Sequence, residues 1–409
     1  MTHHILIIGA GQAGLQAAIS LRQAGFDGPV TLIGAEDTLP YQRPPLSKAY
    51  LKGEMALDRL LLRPDAFFQS QNITLRLNSV VEGIDRASQT VTLVGGETLS
   101  YHKLLIATGA PPRRLPLEGA DASNVYYLRT LKDSDKLRNI LEVDGRIVIV
   151  GAGYIGLEVA AVARAAGRDV TVLEMADRVL SRMVGNTVSN FFQNLHRGHG
   201  VDLRLGAQLC GFTNKGGRVV AARLGDGEEI PCAAVLVGIG AAPDQGLAVD
   251  AGLKVENGIW VDESARTEDP AIWAAGDISN FPSPFYGCRF RLESVPNAIE
   301  QGKTAGLTMA GKEHIYDALP WFWSDQYDVK LQTVGCLPPA DSANRHEIVR
   351  GDAARAPLSV WTFVGDELRS VDAINEPAAF LMGKRLIAAR TKIDAKKLAD
   401  PATELKSLM

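Results

Sequence analysis

The sequence predicts an α/β fold with two Rossmann-like dinucleotide-binding domains and a small α+β domain after them. Three observations predict it. A glycine-rich strand-turn-helix occurs twice, each copy is closed by a similar apolar strand, and the last quarter of the chain changes to aromatic-rich strands. The first copy reads Ile5-Leu6-Ile7-Ile8-Gly9-Ala10-Gly11-Gln12-Ala13-Gly14 and the second Ile147-Val148-Ile149-Val150-Gly151-Ala152-Gly153-Tyr154-Ile155-Gly156. In each, a β-branched run feeds G-x-G-x-x-G and an alanine-rich helix. The first glycine permits the tight turn, the second lets backbone approach a pyrophosphate, and the third lets helix pack on strand. The helix N-terminus then offers unpaired N–H groups and a positive dipole end to phosphate. Two such turns imply two dinucleotides, and a chain holding two dinucleotides is expected to pass electrons between them.

Each copy is weighed by its context. A ribose-binding acid belongs about 20 residues after the turn, at the end of the next strand. In the second copy Val170-Thr171-Val172-Leu173 ends in Glu174, whose carboxylate accepts from both ribose hydroxyls and repels a 2′-phosphate, so NADH is favoured over NADPH. Arg178 and Arg182 follow and would moderate that preference by accommodating the phosphate. In the first copy Val30-Thr31-Leu32-Ile33 ends in Gly34, and the acid arrives late, as Glu36 or Asp37.

The remaining elements follow in order. Leu104-Leu105-Ile106-Ala107-Thr108-Gly109 closes the first domain, after a hairpin-like stretch from Val91 to Tyr101, and Pro111-Pro112 breaks the chain. Leu236-Val237-Gly238-Ile239-Gly240 closes the second in the same way. Ala271-Ile272-Trp273-Ala274-Ala275-Gly276-Asp277 is a further strand delivering a carboxylate after a glycine, and a helix is expected from Asn297 to Met309. Strands then follow at Trp321-Phe322-Trp323, at Lys330 to Val334 and at Leu358 to Phe363, with a helix near Pro377 to Ile387. The expected domains are 1–112 and 239–314 for the first dinucleotide, 113–238 for the second, and 315–409 at the C-terminus.

Composition narrows the function. A chain of 409 residues suits two or three domains, and 46% hydrophobic with 22% charged residues is globular composition. A net charge of −4 gives no electrostatic reason to bind nucleic acid. No stretch is long and apolar enough to span a bilayer, and no targeting segment is read before the first strand, so a cytoplasmic protein is expected. Cys210, Cys232, Cys288 and Cys336 are too scattered for a C-x-x-C redox pair or a local metal knuckle. The seven histidines show no metal spacing, and His196 with His199 reads as a helix end. No metal is expected.

These motifs, with Ala107-Thr108-Gly109 between the two turns and Ala275-Gly276-Asp277 after them, resemble the two-domain, glutathione-reductase-like flavoproteins. Sharper runs are Pro40-Tyr41-Gln42-Arg43-Pro44-Pro45-Leu46-Ser47-Lys48, Arg291-Leu292-Glu293-Ser294-Val295-Pro296-Asn297-Ala298 and Pro320-Trp321-Phe322-Trp323-Ser324-Asp325-Gln326. Together they are similar to the NADH-dependent ferredoxin reductases that serve P450 and ring-hydroxylating dioxygenase systems, over essentially the whole chain.

The resemblance implies that the first turn binds FAD, the second binds NADH, and the C-terminal domain helps receive a [2Fe-2S] ferredoxin. Gly9, Gly11, Ala13 and Gly14 would line the FAD pyrophosphate. Glu36 would substitute for a ribose acid that the family carries where Ala35 stands. Arg43 and Lys48 would lie beside the flavin, and Arg129, Val81, Ala107, Thr108, Gly109, Asp277 and Val295 would complete the FAD contacts. Gly151, Gly153, Tyr154, Ile155, Gly156, Glu174, Arg182 and Gly238 would bind NADH. Lys48 is expected to pair with Glu158 behind the flavin, and Trp323 to cover the flavin near the electron exit or to be a core aromatic. Trp321 is expected in the core. Lys303, Lys330, Lys384 and Arg385 are candidates for a basic patch facing an acidic ferredoxin, or plain solubilising charge.

Flavin accepts electrons in pairs and releases them singly, which suits an adaptor between NADH and an iron–sulfur protein. The rival readings are a reductase of rubredoxin, a quinone or another small acceptor, and an NADH-sensing flavoprotein similar to apoptosis-inducing factor. The oligomeric state, monomer or homodimer, is left open.

Overall fold

The computed structural model describes residues 3–408. The chain divides into two compact units. One gathers the chain up to Gln42 with Leu57–Pro111 and Ala241–Pro320; the other gathers Arg43–Ala56, Pro112–Gly240 and the chain from Trp321 onward. Five helices carry the functional argument: α1 (Gln12–Gln23), α2 (Tyr154–Ala165), α3 (Asn186–Gly198), α4 (Val295–Met309) and α5 (Pro377–Ala388). No helix among the described residues is long and apolar enough to cross a membrane.

The first unit is built on a five-stranded parallel sheet. Its order is Ile272–Ala274, Lys103–Ile106, Ile5–Ile8, Val30–Ile33, Ile73–Arg76. Ile5 lies opposite Val30 on one side and Lys103 on the other. The first strand is an unbroken apolar run because both of its faces are covered. Ile5, Ile7, Leu32 and Leu105 pack with α1 and α4 residues such as Leu15, Ala18 and Ala305. Leu6, Ile8, Leu104 and Ile106 pack on the other face with Val81, Val91 and Leu93. Those last three belong to a small antiparallel sheet, Val81–Asp85, Thr90–Leu93 and Thr98–Ser100, which contains the hairpin read from the sequence.

Helices α1 and α4 lie unusually close. A Cβ added at Gly302 would sit 2.4 Å from the Ala13 carbonyl oxygen, and one at Gly306 would sit 2.5 Å from that of Ala17. Residues four apart share a helix face, so the two glycines form one groove. The contacts advance in the same order along both helices, which therefore run parallel with their N-termini at one end. Helix α4 begins at Val295, two residues before the expected start, because Ser294 caps it by accepting from the Asn297 N–H.

The second unit repeats the plan. Its parallel sheet runs Asp202–Leu205, Val170–Glu174, Ile147–Val150, Ala234–Val237, Val125–Tyr126, and a three-stranded antiparallel sheet (Leu209–Lys215, Arg218–Leu224, Glu229–Pro231) covers one face. It also holds a five-stranded antiparallel sheet, in the order Trp321–Gln326, Val329–Gly335, Glu367–Ile374, Leu358–Val364, Arg345–Gly351. Helix α5 lies on this sheet with Gly383 against Val371. The short segment Arg43–Ala56 is tied into this unit: the Ser134 hydroxyl donates to the Leu46 carbonyl at 2.8 Å and the Tyr50 hydroxyl to Asp135 at 2.7 Å.

The α1–α4 groove gives the first prediction. Gly302→Ala should lower stability to chemical denaturation by roughly 1–3 kcal/mol through overpacking. Gly198→Ala, at a helical position with open space around it, should be neutral or stabilising by up to about 1 kcal/mol. Equal effects of the two changes would show that the groove is not close-packed.

Candidate functional site

The two glycine turns are built alike. Gly9 and Gly151 have φ of 113° and 100°. A Cβ on Gly9 would meet the Ala107 carbonyl oxygen at 2.2 Å, and one on Gly151 the Gly238 carbonyl oxygen at 2.5 Å. Ala107 and Gly238, both singled out in the sequence, thus play the same part in the two turns. Nothing would lie within 4 Å of a Cβ on Gly11, and the nearest atoms to one on Gly153 stand at 4.0 Å. Open space beside the second glycine, at a helix N-terminus, is what a pyrophosphate needs, so both turns fit a dinucleotide.

Around the first turn, Ala13 packs under Gly276, whose added Cβ would lie 3.1 Å from the Ala13 Cβ. The Gly276 N–H and the Ser279 hydroxyl both donate to Gln301 Oε1, at 2.7 and 2.6 Å. This fixes the segment carrying Asp277, whose carbonyl accepts from Arg291 at 3.1 Å. Thr108 and Gly109 follow Ala107 at the end of the strand Lys103–Ile106 that borders the turn. Val295 is half-buried in the first turn of α4. The Glu36 carboxylate accepts from the Tyr41 hydroxyl at 2.5 Å, while Asp37 is exposed. The Val81 side chain is buried in the core beneath the sheet, so any contact it makes with a ligand falls to its backbone.

In the second unit, Glu174 ends its strand as expected. One carboxylate oxygen accepts from the Ala152 N–H within the glycine turn at 2.7 Å, and the other from the Ala176 N–H at 2.9 Å. The two arginines after it differ. Arg178 is committed to the carbonyls of Val184 and Ser181, whereas Arg182 is exposed. The sequence expectation that Arg178 accommodates a phosphate is therefore corrected: its guanidinium already braces its own loop. Tyr154 stacks on Phe322 at 4.4 Å, and burial pushes its phenol above the ordinary range. Ile155 beside it is exposed.

The ion pair expected between Lys48 and Glu158 is present, at 2.8 Å, with Glu158 only 4% exposed and Lys48 18%. Two serines complete the carboxylate: the Ser47 hydroxyl donates to Oε2 at 2.5 Å and the Ser324 hydroxyl to Oε1 at 2.7 Å. Neither serine was singled out from the sequence, although both lie inside the quoted runs. Arg43 donates to the Arg129 carbonyl at 2.7 Å.

Trp323 is half-buried, tilted against Trp321 and Phe322. Trp321 is half-buried as well, beside Phe380 and with Lys384 Nζ 5.9 Å from its ring, so the expectation of a core position is corrected. The fully buried tryptophan of that sheet is Trp361. Lys330 pairs with Asp325 at 3.2 Å, while Lys303, Lys384 and Arg385 are exposed. All four cysteines are free, and no cluster of metal-ligating side chains occurs among the described residues.

Residues 3–302 match the pyridine nucleotide-disulphide oxidoreductase family and residues 321–409 the reductase C-terminal family. The chain belongs to the pyridine nucleotide-disulphide oxidoreductases. It is 42% identical to putidaredoxin reductase of Pseudomonas putida, over 99% of this chain and 96% of that protein. It is 40% identical to rhodocoxin reductase of Rhodococcus erythropolis, over 98% of this chain and 93% of the relative. The crystal structure of the covalent putidaredoxin reductase–putidaredoxin complex is similar with a TM-score of 0.95 and 41% identity, covering 99% of this chain and 98% of that one. As a member of this oxidoreductase family the chain uses FAD and NAD(H), which is what two open glycine turns fit.

Two buried groups make stability pH-dependent. Burial pushes His196 down to about 4, so the unfolded chain takes up a proton between about pH 4 and 6.5 that the folded chain refuses. Its contribution is lost as pH falls through that window. Burial, reinforced by Glu347, pushes Asp372 up to about 8, so the folded chain keeps a proton that the unfolded chain releases. Its contribution is lost as pH rises from about 4 to 8. The two oppose each other below pH 6.5, and above it His196 no longer offsets Asp372. Stability should then fall with rising pH, by up to about 1.4 kcal/mol per pH unit near pH 6.5 and by about half that as pH nears 8. Asp372→Asn should flatten that fall in denaturant titrations, and an unchanged slope would remove Asp372 from the account.

Proposed function

We propose that this chain is an NADH-dependent ferredoxin reductase of the cytoplasm. It delivers electrons to a [2Fe-2S] ferredoxin that supplies a P450 monooxygenase or a Rieske dioxygenase. The observation that carries this reading is end-to-end likeness to two reductases of such carriers and to one of them in covalent complex with its ferredoxin. FAD, when bound, takes a hydride from NADH and gives up its electrons one at a time.

The residues divide the work. Gly9, Gly11, Ala13 and Gly14 hold the FAD pyrophosphate, and Glu36 its ribose. Ala107, Thr108, Gly109, Asp277 and the Val81 backbone border the same cofactor, and Val295 stands at the α4 N-terminus, whose positive dipole end favours an anionic ring. Gly151, Gly153, Tyr154, Ile155, Gly156 and Gly238 receive NADH, with Glu174 on its ribose and Arg182 exposed nearby. Arg43 and Arg129 are assigned to FAD. Lys48, steadied by Glu158, keeps a fixed positive charge for the flavin. Half-buried Trp323 marks the electron exit, and exposed Lys384 and Arg385, beside exposed Leu381 on α5, suit docking of an acidic carrier.

Purified FAD-loaded protein with NADH should reduce a [2Fe-2S] ferredoxin at least tenfold faster than a rubredoxin or a soluble quinone, read spectroscopically at equal acceptor concentration. A faster rubredoxin or quinone reaction would reassign the acceptor, and uniformly slow turnover with every carrier would favour a sensing role. Glu174→Gln should remove the repulsion of a 2′-phosphate while keeping an acceptor for the Ala152 N–H. The ratio of kcat/KM for NADH over NADPH should fall about tenfold or more, equivalent to about 1.4 kcal/mol, and an unchanged ratio would take Glu174 off the ribose.

A further inference from the structure

A line of polar side chains runs through the second unit from Glu158 to the surface. Ser324 Oγ donates to Glu158 Oε1 at 2.7 Å, and Gln326 Nε2 donates to Ser324 Oγ at 3.2 Å. Gln326 Oε1 lies 2.8 Å from His196 Nε2, and the Tyr327 hydroxyl lies 3.4 Å from His196 Nδ1. Ser324, Gln326 and His196 are fully buried. Tyr327 ends the line at the hairpin between Gln326 and Val329, with φ of 57° and its ring stacked on the exposed ring of His199 at 3.6 Å.

One group sets the direction of the whole line. An ionised carboxylate only accepts, so Ser324 must spend its proton on Glu158. Its lone pair then faces the Gln326 amide nitrogen, which turns Gln326 Oε1 toward His196. That oxygen also only accepts, so His196 must carry its proton on Nε2 and present a bare Nδ1 to the Tyr327 hydroxyl. Burial favours the neutral imidazole that this arrangement needs. Hydrogen bonds aligned head to tail polarise one another, and in a low-dielectric interior that strengthens the last bond, the one to the carboxylate.

We propose that Tyr327, His196, Gln326 and Ser324 form a one-way hydrogen-bond relay that orients the Glu158 carboxylate, and that His196 and Gln326 are thereby positioning residues for the Lys48–Glu158 pair. The catalytic meaning of the relay rests on the assignment of Lys48 to the flavin made above; its existence does not. A buried histidine serving only to fill space would have no reason to report the charge of a carboxylate three side chains away.

The test is ring 15N NMR of selectively labelled histidine in the FAD-loaded full chain, with His196 assigned by its loss in His196→Asn. In the parent protein His196 should hold the neutral Nε2–H tautomer between pH 5.5 and 8. In Glu158→Gln the new amide donates as well as accepts, so the line runs either way and His196 should become a mixture of tautomers. Ser324→Ala cuts the line and should also release the tautomer, with no further change when Glu158→Gln is added. An unchanged His196 spectrum in both single variants would overturn the relay.

A kinetic arm reads the positioning role. Gln326→Leu should slow NADH-driven flavin reduction by about fivefold, the equivalent of one hydrogen bond. In a Lys48→Met background it should add nothing. A full fivefold loss in both backgrounds would overturn positioning through the pair. If Lys48→Met itself leaves flavin reduction unchanged, the assignment of Lys48 falls, while the tautomer comparison still decides the relay.

Discussion

Backbone meets backbone at the third glycine of each turn, and the rest of both nucleotide folds depends on that contact. An added Cβ would lie 2.0 Å from the Gly9 carbonyl oxygen at Gly14, and 2.1 Å from that of Gly151 at Gly156. With no side chain between them, α1 and α2 start directly on the ends of their strands. Their N-terminal N–H groups therefore open beside Gly11 and Gly153, the two positions left uncrowded. The same economy of side chains recurs where Gly302 and Gly306 bring α4 against α1. Parallel helix ends and strand ends are thereby collected at one edge of the first sheet, where charge on a ligand meets dipoles rather than side chains.

The second unit solves a different problem, which is how to keep a carboxylate in a protein interior. Taking Glu158 out of water is costly unless its lone pairs are used. Here the three donors come from two separate stretches: Lys48 and Ser47 from the short turn Pro44–Ser47 and its end, and Ser324 from the antiparallel sheet. The carboxylate thus ties the segment Arg43–Ala56, the helix of the second glycine turn and the C-terminal sheet into one unit. A single charge organises them because each element alone would leave a buried polar atom without a partner.

Much of this was legible in the sequence, for reasons that differ by element. The strands Ile5–Ile8, Val30–Ile33 and Val170–Glu174 could be read because strands buried on both faces are near-continuous apolar runs, broken here only by a threonine in each of the last two and by Glu174 at a strand end. The role of Glu174 could be placed because motif and acid lie on successive elements of one βαβ unit. The partners of Glu158 could not: Ser47 and Ser324 are 111 and 166 residues away from it, and a serine in a strand carries no signal of what it faces. Trp321 was misplaced for a related reason. Its neighbour in the interior is set by which strand borders it, and Trp321–Gln326 is one of the two edge strands of its sheet, whereas Trp361 lies on an inner one. Arg178 was misjudged because spacing alone cannot tell a loop-bracing guanidinium from an exposed one such as Arg182.

The family name speaks of disulphides, yet this chain is arranged around a different kind of site. Its cysteines fall one apiece at 210, 232, 288 and 336, two of them exposed and one in the core. Burial pushes the Cys232 thiol up to about 11, the opposite of what a nucleophilic thiolate requires. Pro44–Ser47 folds instead into a tight turn that aims Ser47 and Lys48 at Glu158. A thiol pair exchanges electrons in pairs and by bond making, whereas an ion pair exchanges none and acts only through its field.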